Sequence, residues 1–359
     1  MGLQRERLGV DGSQISIFDG SRFVFSESSW TIVTLYRMLR RYGLSYLYMR
    51  KGPQTMLPRF LQLYKLQDRI GTSSAANLFA KEFVAGINRI QYNQGNGINA
   101  LAGMVSLLPT IDGRLFRIKG GNRLLPERLI AAANASLHQG LRVTKVHRTT
   151  SRHFELHTKS SRDDKTTKSR RYAAVLVATP LELTDIAFTG FEVPHMPVRQ
   201  YQTTVTTLVK GRLKPAYFGV EALPKGEYVM VTEDAKTPFS VIGPQKILPN
   251  GLRIYKIFSR QPLEGATLDA IFANLTILAD REWKAYPLFR PPERFPPFRL
   301  TPGLYVNNAW ENAASAMEMS AVAAKNCALL ASQYLQKAFL DDGGLNSGFK
   351  AVTGAKSEL

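Results

Sequence analysis

Apolar and polar positions alternate with a period of two from Gln14 to Phe25 (QISIFDGSRFVF). The alternation reverses about Asp19-Gly20, which predicts a β-hairpin. The period then lengthens. Ser28 or Ser29 is placed to cap a helix in which Ile32, Leu35, Tyr36 and Leu39 share one face while Arg37, Arg40 and Arg41 lie off it. Gly43 interrupts that helix, and Pro53 and Pro58 bracket the start of another that presents Phe60, Leu61 and Tyr64. Gly97 to Leu107 reads as a thin helix, with Ala100, Ala102 and Gly103 permitting close packing.

Leu115 to Ile118 reads as a strand entering Gly120-Gly121-Asn122, and Leu124 to His138 as a helix with Pro126 in its first turn. Leu141 to Val177 has the alternation of a meander, with the polar, charged SSRDDKTTKSR as a solvated tip and Val175 to Thr179 as a buried strand. Thr203 to Val209, Tyr228 to Thr232 and Arg253 to Ser259 read as strands of a second sheet, followed by a helix over Leu268 to Ala279. Trp283, Tyr286 and Phe289, with Pro291, Pro292, Pro296 and Pro297 behind them, form a rigid aromatic return. Such aromatics suit interdomain packing or the wall of an apolar pocket.

The chain ends on a short strand, Leu304 to Val306, a turn of small and amide residues, and an Ala-rich helix. Asn312 fits an N-cap, and behind it Ala313, Ala314, Ser315 and Ala316 leave the N–H groups of the first turn uncovered. Two readings follow. One is a core helix that is small because it packs tightly; the other is a helix start that meets an anion or a polarised carbonyl. A Gly-Gly turn between strand and helix likewise serves either as a plain turn or as a place where backbone approaches a ligand without a Cβ in the way.

Composition narrows the classes. The 359 residues suffice for a large core and two domains, and a formal net charge of +19 favours anionic membrane surfaces, nucleic acid or acidic partners. Nucleic acid is the weaker choice, because no RNA-binding signature or zinc spacing is present. No apolar run reaches the roughly 18 residues that span a bilayer. Cys327 is the only cysteine, so an intramolecular disulfide is excluded. The histidines, His138, His147, His153, His157 and His195, lack metal-ligand spacing, and no Ser-His-Asp or paired-carboxylate constellation suggests a hydrolase.

Four stretches in one order carry a resemblance: Phe25 to Tyr64, Tyr92 to Leu124 (YNQGNGINALAGMVSLLPTIDGRLFRIKGGNRL), AVLVATPL at 174–181 with TTVTTLVKG at 203–211, and LYVNNAWENAASAMEMSAVAAKNCALL at 304–330. Together they resemble the prenylcysteine oxidases of the FAD-dependent amine oxidase-like superfamily, from about Leu8 to the C-terminus. The family's opening strand, GxGxxG turn and helix have no counterpart, and Met1 to Glu6 has neither an apolar signal core nor a myristoylation pattern. The chain therefore resembles an N-terminally truncated member, and between Gln67 and Ala85 it looks shorter than the family pattern, with little room for further cap helices.

The resemblance implies a mixed α/β fold: a partial FAD-binding doubly wound domain lacking its first βαβ element, plus a substrate domain of mixed sheet with a helical cap. It divides the chain into 1–108 (hairpin and cap), 109–188 (FAD-domain part), 189–298 (substrate sheet), 299–340 (C-terminal strand and helix) and 341–359 (tail). It implies FAD at Gly120, Gly121, Asn122, Ala178, Thr179, Pro180, Ser315, Ala316 and Met317, and site-wall or substrate roles for Tyr92, Gln94 and Tyr286, with no catalytic side chain and no metal. The implied reaction is oxidative cleavage of farnesyl- or geranylgeranyl-cysteine to prenyl aldehyde, cysteine and hydrogen peroxide, with molecular oxygen consumed. The rival expectation is a non-catalytic member that does not retain FAD and binds prenyl lipid or anionic surfaces. Family location would be lysosomal or secretory, with Asn134 and Asn274 as glycosylation acceptors; the missing signal core leaves a cytoplasmic form open. Lys356-Ser357-Glu358-Leu359 resembles both the family terminus and a degenerate luminal retention signal.

Overall fold

The computed structural model of the chain describes residues 2–7, 14–47, 49, 74–112, 116–160 and 167–341. The helix expected at Pro53 to Tyr64, the centre of the charged tip near 161–166 and the tail lie outside them. The fold is mixed α/β, as expected, and divides into two compact units.

The first unit comprises Met1–Leu137, Val198–Arg294 and Glu311–Ala316. Its frame is a seven-stranded sheet in the order β14-β10-β13-β12-β11-β2-β3. The hairpin forms where alternation predicts it, β2 (Ile15–Phe18) antiparallel to β3 (Phe23–Ser26). Asp19 Oδ1 stabilises its tip by accepting the Ser21 and Arg22 N–H groups, each at 2.9 Å. The remaining strands are β10 (Tyr201–Leu213), β11 (Tyr228–Val231), β12 (Val241–Ile247), β13 (Arg253–Ser259) and β14 (Phe272–Pro287). Phe18, Val209, Phe218, Val231, Tyr255 and Phe272 fill one core against this sheet. A two-stranded piece, β1 (Arg5–Arg7) with β4 (Phe116–Ile118), completes the strands of this unit.

The elements of this unit depart from the sequence pattern at several points. The helix predicted over Leu268 to Ala279 ends early: α6 is Gly265–Ile271, and the chain then enters β14. Pairing with β10 from Phe272 to Pro287 outweighs the helical spacing of Leu268, Ile271 and Leu275. The first helix, α1 (Thr31–Tyr42), has Trp30 at its N-cap without a side-chain cap bond, so neither Ser28 nor Ser29 occupies that position. Its buried side chains are Met38 and Tyr42, whereas Ile32, Leu35 and Tyr36 are exposed. A helical run also occupies the stretch that looks too short for further cap helices and continues past it: α2 (Ser74–Phe79), a π segment (Ala80–Val84) and α3 (Ala85–Tyr92). Met38, Tyr42, Phe79, Phe83 and Ile87 join Ile17, Phe25 and Met230 in the second core of this unit. Further along, α4 is Ala100–Asp112 and α5 is Leu124–Ala132, shorter than the expected run to His138.

The second unit comprises His138–Pro197, Phe295–Trp310 and Met317–Leu359. The meander appears as β5 (Leu141–Arg148), β6 (Phe154–Ser160) and β7 (Thr167–Tyr172). With β9 (Ala187–Thr189) they form a sheet ordered β7-β6-β5-β9. β8 (Val175–Val177) leaves the meander to pair in parallel with the fully buried β16 (Leu304–Val306), and β15 (Arg299–Thr301) lies on the far side of β16. The long helix α7 is Met317–Asp341, and Cys327 and Ala331 pack with Tyr305. Burial pushes the Cys327 thiol up, as suits an inert packed sulfur. The Ala-rich helix starts later than Asn312 and Ala313 suggest, because residues 311–313 form a turn and 314–316 are irregular before it.

Candidate functional site

The best-defined wall in the first unit is built where α3 ends. Asn93 adopts a left-handed conformation (φ 53°) and stops the helix. Its Nδ2 donates to Thr204 Oγ1 at 3.2 Å and to the Ser259 carbonyl at 3.0 Å, while its Oδ1 accepts from Ser240 Oγ at 2.5 Å. Arg260 Nε donates to the Asn93 carbonyl at 3.0 Å. This ties the helix end to β10, β13 and the entry of β12, and fixes the residues on either side.

Tyr92, just before the turn, is buried and meets Tyr286 edge to face with centroids 5.2 Å apart, and Phe289 likewise at 5.0 Å. Burial pushes the Tyr286 phenol up, so the ring presents a neutral hydroxyl on an otherwise apolar wall. Gln94, just after the turn, donates through Nε2 to the Pro287 carbonyl at 2.9 Å and accepts the Phe289 N–H at 3.0 Å. Its amide thus clamps the end of β14. Behind this loop, Arg89 is 6% exposed and donates to the Thr232 carbonyl at 2.7 Å. Burial, aided by the nearby Arg260, pulls its pKa down to about 10 against the opposing charge of Glu233.

Tyr92, Gln94 and Tyr286 are therefore brought together, and Phe289 joins them without a sequence signal beyond its aromatic spacing. The expected cofactor positions fall on both units. In the first, Gly120 and Gly121 take positive φ values of 88° and 106°, which only glycine adopts freely, and Asn122 Oδ1 closes the turn by accepting the Ile118 N–H at 3.1 Å. Ser315 Oγ donates to Glu311 Oε1 at 3.1 Å, and Ala316 follows it. In the second unit, Ala178 and Thr179 continue β8 into the lining of an apolar cavity of about 470 Å³ with Val143, Leu156 and Ile186. Pro180 precedes a single 3₁₀ turn, Leu181–Leu183. Met317 is the first residue of α7, and the acid in that first turn is Glu318, so the helix start is less bare than the sequence suggests.

Two asparagines complete the candidate set. Asn312 is 5% exposed; its Nδ2 donates to the Arg294 carbonyl and its own carbonyl accepts from Asn99, but its Oδ1 has no hydrogen-bond partner among the described residues. Asn307 Oδ1, at the end of β16 in the second unit, is likewise buried and unpartnered. Buried amide acceptors rarely remain unsatisfied. Each suits a ligand group that donates an N–H, as N3 of a flavin's pyrimidine ring does. No cluster of metal-ligating side chains occurs among the described residues.

Comparison with known proteins gives the family. The family model described as Prenylcysteine lyase matches residues 68–341. The chain is 34% identical to farnesylcysteine lyase of Arabidopsis thaliana, over 94% of this chain and 74% of that protein. It is 32% identical to prenylcysteine oxidase 1 of Homo sapiens, over 90% and 73% respectively. Among solved structures, a triple mutant of putrescine oxidase aligns with a TM-score of 0.53 at 12% identity, covering 93% of this chain and 83% of that one. At that identity the likeness is one of fold.

Proposed function

The chain belongs to the prenylcysteine lyase family, and on that premise we propose that it is an FAD-dependent oxidoreductase cleaving the thioether of farnesyl- or geranylgeranyl-cysteine. The observation that carries the cofactor reading is the buried Asn312 Oδ1, an acceptor in want of a donor on the segment leading into α7. The chemistry a bound FAD supplies is two-electron oxidation of the carbon beside sulfur. Water then adds at that carbon and the thiol leaves, so that thioether, oxygen and water give prenyl aldehyde, cysteine and hydrogen peroxide.

The chain's own residues bind and orient. Tyr92, Tyr286 and Phe289 present apolar edges to a prenyl chain and exclude water, and Gln94 holds that wall by fixing the end of β14. Gly120, Gly121 and Asn122 give a backbone that a dinucleotide can approach closely. Ala178, Thr179 and Pro180 offer a second strand end for the cofactor. The N–H groups of Ser315, Ala316 and Met317, at and before the start of α7, would face negative charge on a bound flavin ring, and Asn312 Oδ1 would accept the ring's N3–H. No side chain is assigned as a general acid or base.

The same reading carries the remaining expectations: molecular oxygen as co-substrate, a lysosomal or secretory location, glycosylation at the exposed Asn134 and Asn274, and peripheral contact with anionic membrane. None of the described helices is long and apolar enough to cross a membrane. The test is the visible spectrum of purified protein incubated with FAD and freed of excess cofactor, followed by a peroxide assay with farnesylcysteine. A retained two-band flavin spectrum and peroxide release are the expected results. A colourless, inactive protein would remove the catalytic reading and leave family membership alone.

A further inference from the structure

We propose that the outward face of α1 is a docking surface for an anionic phospholipid bilayer. The proposal deepens the peripheral contact suggested above by assigning it to one helix. The helix is anchored from beneath: Met38 and Tyr42 are buried, Arg41 makes two hydrogen bonds to Glu82 at 2.7 and 2.6 Å, and the Tyr42 hydroxyl donates to the same carboxylate at 2.9 Å. What this anchoring turns outward is apolar. Trp30 is 73% exposed, Ile32 80% and Tyr36 61%.

Exposure of single apolar residues is ordinary, but Ile32 and Tyr36 stand i, i+4 on one face of α1, and Trp30 is exposed at the N-cap beside its first turn. Ile32, Tyr36 and Arg40 are spaced i, i+4, i+8 and form one row; Val33 and Arg37 form the adjacent row. The apolar members occupy the N-terminal turns and the arginines the C-terminal ones. A bilayer would therefore meet α1 by its N-terminal end, with Trp30, Ile32 and Tyr36 at the boundary of the acyl region and Arg37 and Arg40 among the headgroups.

The charge distribution favours a membrane as the occupant. Residues 28–50 contain Arg37, Arg40, Arg41 and Arg50 and no acidic residue. The nearest carboxylate in sequence, Glu27, is turned inward to accept the Ile15 N–H at 2.9 Å. Arg41 is neutralised by Glu82, and Arg37 donates one N–H to the Ser26 carbonyl at 2.9 Å and has no acidic partner among the described residues. No acidic partner of Arg40 is found among the described residues. Arg37, Arg40 and Arg41 also line a groove of about 520 Å³ against Phe23 and Phe25 of β3, wide enough to admit a phosphate headgroup beside apolar surface.

The experiment is co-flotation of the full chain with unilamellar vesicles of phosphatidylcholine alone and of phosphatidylcholine mixed with phosphatidylserine. Three variants accompany it: Trp30→Ser/Ile32→Ser/Tyr36→Ser; Arg40→Glu; and Lys168→Glu/Arg171→Glu, which lowers net charge on the exposed β7. Folding of each is checked by circular dichroism. The expected result is binding to the phosphatidylserine vesicles that falls about fivefold or more with Arg40→Glu, falls further with the triple variant, and is nearly unchanged by the β7 variant. A Trp283→Phe/Trp310→Phe protein, in which Trp30 is the only indole, should show a blue-shifted emission quenched by brominated lipid. Binding that ignores the α1 variants, or that the β7 variant removes, would mean diffuse charge attraction and overturn the α1 assignment alone. Absence of binding to either vesicle would overturn the membrane contact altogether. Self-association abolished by the triple variant, without vesicle binding, would assign the face to a second copy and likewise overturn the proposal.

Discussion

The Tyr92 ring meets the Tyr286 ring edge to face, with centroids 5.2 Å apart, although 194 positions separate them in the chain. One comes from the last residue of α3 and the other from the end of β14, so the contact fixes a helix terminus against a strand terminus. If these rings wall the prenyl pocket, Tyr286→Leu removes ring edge contacts worth roughly 1 kcal/mol. Such a loss is uniform between ground and transition states. The KM for farnesylcysteine should rise severalfold with kcat nearly constant, and steady-state peroxide release measures both. An equal fall in kcat at unchanged KM would remove Tyr286 from the wall.

Gln94 offers a test of the support beneath that wall. Both ends of its amide are engaged by the backbone of Pro287 and Phe289. Gln94→Ala leaves one buried N–H and one buried carbonyl without partners, a loss of about 1–3 kcal/mol for each. Gln94→Glu keeps the acceptor but sets a carboxylate against the Pro287 carbonyl. Chemical denaturation should rank wild type above Gln94→Ala, and Gln94→Glu below wild type at neutral pH.

Much of this architecture was legible in the chain. The hairpin about Asp19, the strand at Arg253 to Ser259 and the fully buried strand at Leu304 were written in alternation and β-branching, which report local burial directly. The exit of α6 into β14 was not, because Leu268, Ile271 and Leu275 keep helical spacing while the deciding partner, β10, lies more than 50 residues away. The helical run from Ser74 to Tyr92 was missed for a different reason. Its buried face includes Glu82, Asn88 and Arg89, polar residues that hide the apolar stripe from any pattern count. Asn312 was read as a cap because side-chain type signals capping; that its Oδ1 is buried without a partner is a property of packing.

In the second unit, Gly303 closes the turn between β15 and β16 at φ 90°, and a Cβ there would lie 2.7 Å from the Tyr334 ring and 2.8 Å from the Phe154 ring. Rings wedged in a core cannot retreat as a flexible side-chain end could. Gly303→Ala should cost about 2–5 kcal/mol from backbone strain and overpacking combined. Thermal unfolding followed by far-ultraviolet circular dichroism would show it. A variant as stable as wild type would mean that Tyr334 and α7 yield easily.

The phenols of Tyr42, Tyr228 and Tyr255 are all pushed up by burial, that of Tyr228 to about 12, and the Glu82 and Glu227 carboxylates add to the effect at Tyr42 and Tyr255. Each group keeps its proton longer when folded than when unfolded. The unfolded phenol ionises near 10, so their contribution is complete below about pH 10 and is lost as pH rises through the folded values. Stability from denaturant titration should therefore fall above about pH 10. In Tyr42→Phe that fall should be shallower, even though the variant starts lower for want of the hydrogen bond to Glu82. Parallel slopes in the two proteins would mean that Tyr42 titrates as freely as an exposed phenol.

Asn93 separates backbone conformation from side-chain bonding at the site wall. Its φ of 53° favours Asn or Gly, and its amide satisfies Thr204, Ser240 and the Ser259 carbonyl at once. Asn93→Gly retains the turn and deletes those bonds, whereas Asn93→Ala loses both. The glycine variant should lose about 2–4 kcal/mol from the buried groups left unpaired, and the alanine variant about 1 kcal/mol more for holding a Cβ in the left-handed region. Because Tyr92 and Gln94 flank the turn, both variants should also loosen the contact with Tyr286 and raise KM before they unfold the chain. If Asn93→Gly is as stable as wild type, the loop is held by the Arg260 bond to the Asn93 carbonyl, which both variants keep. In that case Arg260→Lys, which cannot reproduce the geometry of the guanidinium Nε bond, becomes the substitution that moves KM.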